Sequence, residues 1–239
     1  MPVVPLRSLA AQGSAVCIIF GDSTMKPASL SMAISNSLLL LVCVLAPATG
    51  EESKASKWKP LFDGKTLEGW KITNFGGEGD VEVEDGVINM DFGSSLTGIT
   101  YKGKFPKTNY EVSLEAMRVD GVDFFCGMTF PVAESHASFI IGGWGGAVVG
   151  ISSIDGSDAS ENDTTTFMNF KKERWYKIRL RVTPEKLDAW IDDDHVIDQD
   201  IVGKKISTRS EVNLSKPFGI CAWETRSALR KLQIREISK

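Results

Sequence analysis

Histidine and cysteine are scarce in this sequence and positive charge is in slight deficit, and each shortfall removes a class of function. Only two histidines and four cysteines occur among 239 residues. No CxxC pair and no Cys/His spacing of a zinc module is present, so a zinc-stapled fold is excluded. Acidic residues outnumber basic ones 31 to 27, a net charge of −4. Without clustered positive charge to meet phosphates, nucleic acid is excluded as a partner. No amphipathic helix longer than about two turns is legible after residue 48, which argues against helical and α/β folds. No internal repeat and no disorder-type composition is present either.

The first 48 residues read as a leader. From Met25, a single Lys26 precedes the apolar run Leu38 to Ala46, and Ala46, Pro47 and Ala48 supply small residues for cleavage. The pattern predicts a signal peptide from about residue 25, a start assigned too far upstream, and a secreted or periplasmic protein. Nine apolar residues fall short of the roughly 20 that a membrane-spanning helix needs, so no stable membrane anchor is expected. Val42 stands before Cys43 where lipidation wants a small residue. Setting aside Arg7, Lys26 and Asp22 leaves 25 basic and 30 acidic residues in the mature part. Residues 49–57 suit a polar linker, and 58–239 suit one domain with a sizeable core.

That domain reads as strands. Val81 and Val83 alternate with Glu82 and Glu84, and Asp85-Gly86 then offers a type I′ hairpin turn before Val87. Tyr110, Val112, Leu114 and Ala116 share one face, with Glu111, Ser113 and Glu115 on the other. Tyr176, Ile178, Leu180 and Val182 alternate with Lys177, Arg179 and Arg181, and Leu187, Ala189 and Ile191 continue that face on the next strand. Many short strands and no helix predict an all-β, two-sheet antiparallel sandwich of the jelly-roll, concanavalin or laminin-G kind. Cys126 and Cys221 each lie in an apolar strand, where a disulfide and two buried free thiols are both open.

Lys59-Pro60-Leu61-Phe62-Asp63-Gly64-Lys65-Thr66-Leu67-Glu68-Gly69-Trp70 resembles the opening signature of the 3-keto-disaccharide hydrolase family, and Leu229 to Ile234 resembles its final strand. Val83 to Val87, Asn109 to Val112, Arg174 to Tyr176 and Ala189 to Asp193 are similar to its intervening strands and hairpins. The resemblance implies a β-sandwich acting on sugars oxidised at C3. The ketone acidifies the C2 hydrogen, so a base removes it, the C1 substituent leaves, and water adds afterwards. A base, a donor for the enolate oxygen and a proton source are required. The Arg and Glu that the family carries in mid-domain are absent from Gly121 to Phe130 and Ser138 to Gly146, while Arg230 matches a family polar position.

The chemical candidates are few. Asp123, beside two phenylalanines, His136, two residues from Glu134, and Glu224, at the end of an apolar strand, are the candidate acids and bases. A turn-bonded Asp, a polar loop and an ion pair to Arg226 are their plain structural readings. Trp144, between two pairs of glycines, is a stacking platform for a sugar ring or a plug for the sandwich end. Trp223, Arg226 and Arg230 complete the expected carbohydrate-binding set. His195, after three aspartates, suits a solvated turn. The loop from Asp155 to Asp163 is rich enough in oxygen for a divalent cation, although Thr166 stands where an EF-hand needs its twelfth-position acid, and a solvated loop fits equally. Two functions remain: an exported hydrolase or lyase on 3-keto-glycosides, or a non-catalytic, lectin-like carbohydrate-binding module.

Overall fold

The computed structural model describes residues 56–238, so the expected leader and nearly all of the linker lie outside the described residues. The first part of the domain runs β1 (Lys59–Pro60), β2 (Trp70–Ile72), β3 (Val81–Glu84), β4 (Val87–Met90), β5 (Leu96–Tyr101), β6 (Tyr110–Gly121) and β7 (Cys126–Val132). The second runs β8 (Ser135–Gly143), β9 (Val148–Ser152), β10 (Thr166–Phe167), β11 (Trp175–Val182), β12 (Lys186–Ile191), β13 (Asp194–Asp200), a 3-10 turn at Ser210–Ser215, β14 (Gly219–Trp223) and β15 (Thr225–Glu236). One sheet of eight strands has the order β13-β12-β11-β6-β15-β4-β3, with β1 added against β15; the other, of seven, has the order β10-β9-β8-β7-β14-β5-β2. Every pairing is antiparallel, as the alternation predicts. Among the described residues no helix is long and apolar enough to cross a membrane.

Period-two alternation decides which side chains fill the space between the sheets. Tyr176, Ile178, Leu180, Leu187, Ala189 and Ile191 are all buried, and Leu180 sits level with Val112 on one side and Ala189 on the other. The Asp85-Gly86 turn closes β3 onto β4 with both residues at positive φ, +49° and +80°, as a type I′ turn demands. Cys126 points into this core whereas Cys221, opposite Gly127 on the neighbouring strand, points outward. Opposite faces leave both thiols free, and burial pushes that of Cys221 up to about 12.

The opening signature is structural in this fold. Asp63 accepts the N–H groups of Lys65 and Thr66, both at 2.8 Å, and the Thr66 hydroxyl, which fixes the turn. Trp70 then donates its indole N–H to the Leu61 carbonyl and packs edge-on to Tyr101, 5.2 Å between centroids, closing one end of the core.

The chain changes sheets between β14 and β15. Glu224, at φ +41°, is the hinge of that crossing. It places Trp223 on the outer face of the seven-stranded sheet while the residues after it join the eight-stranded one.

Candidate functional site

The outer face of the seven-stranded sheet carries unusually little bulk. Gly98, Gly127 and Gly150 lie on β5, β7 and β9; strand β14 crowds the first, and loops rest directly on the other two. A Cβ at Gly127 would come within 2.8 Å of the Phe124 ring, and one at Gly150 within 2.6 Å of the Ala159 carbonyl. The Phe124 ring, the Ala159 loop and the 3-10 turn cover most of this face and leave one cleft with room for about 200 Å³. Leu96, Phe124, Ile140 and Val212 form its apolar part, and the indoles of Trp144 and Trp223 stand over it. Ser138, Ser152, Asp123, Arg209 and Glu211 supply its polar atoms.

Two loops are locked together at its rim. Asp123 accepts the N–H of Phe124 at 2.7 Å and that of Gly145 at 3.1 Å, so its carboxylate bridges the β6–β7 loop to the Trp144 turn. Beneath them Arg118, only 5% exposed, sends one guanidinium nitrogen to the carbonyls of Asp123, Gly142 and Gly146 at 3.0, 3.1 and 3.1 Å. All three hydrogen-bond acceptors are backbone carbonyls, and the nearby Asp123 carboxylate adds an attraction through space. The rings of Phe125 and Phe170 receive it as well, and burial pulls its pKa down. The result is a Trp144 turn at positive φ, held from two sides, that leaves the indole 45% exposed.

The opposite rim is an ion network. Arg209 pairs with Asp158 and donates to Glu211 Oε1 at 2.7 Å, and Ser210 donates to the other Glu211 oxygen at 3.0 Å. Arg209 holds the Glu211 carboxyl below the usual carboxylate range, which keeps it a carboxylate at neutral pH. The guanidinium has five N–H donors, of which three are spent on Glu211 and Asp158, leaving two for a ligand.

The expected site residues are distributed over several surfaces. Asp123, Trp144 and Trp223 meet in this cleft. His136 lies on the same sheet, opposite Pro131, outside the residues that line the cleft; burial first, and then Lys216 and Lys107, lower its pKa and keep the ring neutral. Glu134 turns away from it to pair with Lys107 at 2.6 Å. Glu224 is exposed at the sheet crossing, because the period of two that brings Trp223 into the cleft sends its neighbour elsewhere. Arg226 and Arg230 belong to the eight-stranded sheet, where Arg226 pairs with Asp91 and Arg230 with Glu115 while covering the Trp175 ring. These two arginines therefore do not join the cleft.

Two acids of the loop spend their oxygens on the protein's own donors. Asp155 accepts the Lys205 N–H and pairs with Lys204, while Asp158 takes Arg209 and the Ser153 hydroxyl. Asn162 donates its amide to the carbonyls of Ile151, Ser157 and Asp158. Sequence reasoning passed over Arg209 and Glu211 because they lie in a loop far along the chain with no motif around them. Their only signal was an Arg and a Glu two apart, a spacing that solvated loops share.

The sequence profile of the 3-keto-alpha-glucoside-1,2-lyase-like domain matches residues 57–235. The chain belongs to that family. No curated protein sequence matches it. A solved structure of related fold shares the architecture, and others resemble it more loosely. The Crh5 transglycosylase in complex with NAG is 13% identical over 77% of this chain and 86% of its own, with a TM-score of 0.53. The laminarinase from Flavobacterium sp. UMI-01 is 13% identical over 77% and 100%, with a TM-score of 0.49. The carbohydrate-binding module CBM66 from Bacillus subtilis is 13% identical over 69% and 93%, with a TM-score of 0.45. At such identity the likeness describes the fold alone. Family membership makes this a glycosyl hydrolase-like, carbohydrate-active domain.

Proposed function

We propose that this is an exported protein that binds one ring of a 3-keto-glycoside in the cleft between Trp144 and Trp223 and cleaves it by elimination. The observation that carries the reading is Glu211, an ionised carboxylate paired to a guanidinium with unspent donors, in a cleft with two indoles. In the reaction Glu211 takes the C2 proton. The C–H electrons flow toward the C3 ketone, whose developing oxyanion the free Arg209 N–H groups receive. The enolate collapses to a C1–C2 double bond as the C1–oxygen bond breaks, and Glu211 returns its proton to the departing oxygen. Water then adds at C1. Asp123, with both oxygens accepting backbone N–H groups, positions the Trp144 platform.

One observation favours a binding module. Among the described residues no strand of the seven-stranded sheet contributes an Asp or Glu, so every acid in the cleft comes from a loop. Incubating the purified protein with a 3-keto-disaccharide and with its unoxidised parent, with and without chelator, separates the readings. Release of the C1 substituent from the keto form, reduced at least about 100-fold in Glu211→Gln, is the expected result. Affinity for sugar without turnover would leave the binding module standing. N-terminal sequencing of the secreted form, with a start between about 47 and 52, tests export.

A further inference from the structure

We propose a binding site for one first-row divalent transition ion, with Zn²⁺ as its probe, at Asp188, His195 and Asp198 on the outer face of the eight-stranded sheet. This surface plays no part in the cleft. Asp188 on β12 stands directly across from Asp198 on β13. Two like charges directly opposed on neighbouring strands repel, a cost that the Lys186 ammonium offsets here and that a divalent ion in its place would offset further.

The third ligand arrives through a break in the ladder. Ala189 pairs with Ile197 but Trp190 pairs with His195, so Val196 is one residue extra. Regular alternation from the outward Asp198 would turn His195 inward. The bulge brings it to the aspartates' face instead, which is a use of β-bulges that recurs near functional sites. His195 Nε2 lies 3.0 Å from Asp188 Oδ1, and the ligand atoms of the three residues all fall within 4.8 Å of one another. That contact is a hydrogen bond; two ligands of a tetrahedral ion with bonds of about 2.1 Å stand about 3.4 Å apart, so an ion replacing the shared proton needs this pair to part by only about 0.4 Å.

The surroundings hold the ligands. Asp188 is only 8% exposed. The Trp190 indole stacks on the imidazole of His195, centroids 4.6 Å apart, and the Arg179 guanidinium covers the same indole at 3.7 Å, which fixes the ring's orientation as outer-shell partners do in metal sites. Lys186 Nζ lies 2.5 Å from Asp198 and 3.6 Å from Asp188, so a cation already occupies the space between the two carboxylates and an incoming ion displaces it. One imidazole and two carboxylates suit zinc, manganese or cobalt, and offer too few oxygens for calcium.

Calorimetric titration of the tag-free, chelator-stripped chain with Zn²⁺ tests the site. The expected result is one ion per chain, an affinity at least about 100-fold weaker in His195→Gln, and a tighter one in Lys186→Met, where no ammonium competes. Thermal unfolding should report the same event, with Zn²⁺ raising the midpoint of the wild type and not of His195→Gln. If His195→Gln does not fold, Asp198→Asn gives the same comparison from the exposed side. A wild type that takes up no Zn²⁺, or one whose uptake His195→Gln and Asp198→Asn leave unchanged, overturns the proposal.

Discussion

The carboxylate of Asp123 accepts the backbone N–H of Gly145, the residue directly after Trp144, at 3.1 Å. A side chain from one loop thereby sets the angle at which the indole of another meets the cleft. Asp123→Ala should cost about 1 to 3 kcal/mol in denaturant unfolding, the range for losing hydrogen bonds to a charged acceptor. In the proposed reaction it should weaken substrate binding more than it slows turnover, because Trp144 binds and Glu211 reacts. Turnover slowed by about 100-fold or more, with substrate binding unchanged, would instead make Asp123 part of the chemistry.

Glu111 makes the second prediction. Its carboxylate is fully buried on β6, with Arg181 at 2.6 Å, Arg235 at 2.5 Å and Arg179 at 3.7 Å. Removing one partner from a buried ionic cluster leaves uncompensated charge, here three guanidinium groups. Glu111→Ala should therefore destabilise the domain by about 3 to 5 kcal/mol in urea unfolding, with no specific effect on the cleft. A loss under about 1 kcal/mol would show that the arginines find solvent without it.

The sandwich core makes the third. Leu180 is fully buried between Val112 and Ala189 on adjoining strands. Leu180→Ala should cost about 2 to 5 kcal/mol, the range for emptying a packed aliphatic site. Arg179→Ala, one residue away on the outer face, should cost less, about 1 kcal/mol, since it removes a cation from the Trp190 ring and the most distant of Glu111's three arginine partners but no core group.

The sheets were legible because burial follows a period of two that the sequence writes directly: Tyr176, Ile178 and Leu180 could not all face inward on a helix. The cleft was legible in part. Trp144 is advertised by the glycines around it, and Trp223 by its place at the end of an apolar strand. Arg230 was misleading, since a family match at a position says nothing about which sheet carries it, and Glu115 claims its charge. Glu211 was hidden for a different reason. Its partner Arg209 is drawn in by Asp158, 51 residues earlier, and only the folded chain brings that pair to the rim. Likewise the bulge at Val196 reverses the face that alternation assigns to His195.

The last prediction concerns acid. His136 titrates below the 6.5 of a free imidazole because burial opposes the charged ring, and Lys216 and Lys107 add repulsion, with Glu134 committed to Lys107 on the exposed side. The unfolded chain therefore takes up a proton at this residue before the folded one does. Its contribution to stability is complete above pH 6.5 and is lost as the pH falls through the lowered folded value. The carboxyl groups with shifted values, Glu211 and Asp91 among them, are held below their ordinary range and titrate under about pH 4.5, outside this window. Urea unfolding at pH 7.5, 6.5 and 5.5 should show the wild type weakening across the series and His136→Gln weakening less. Parallel losses in the two proteins would mean that the ring is as easily charged in the fold as in water, and that the lysines do not reach it.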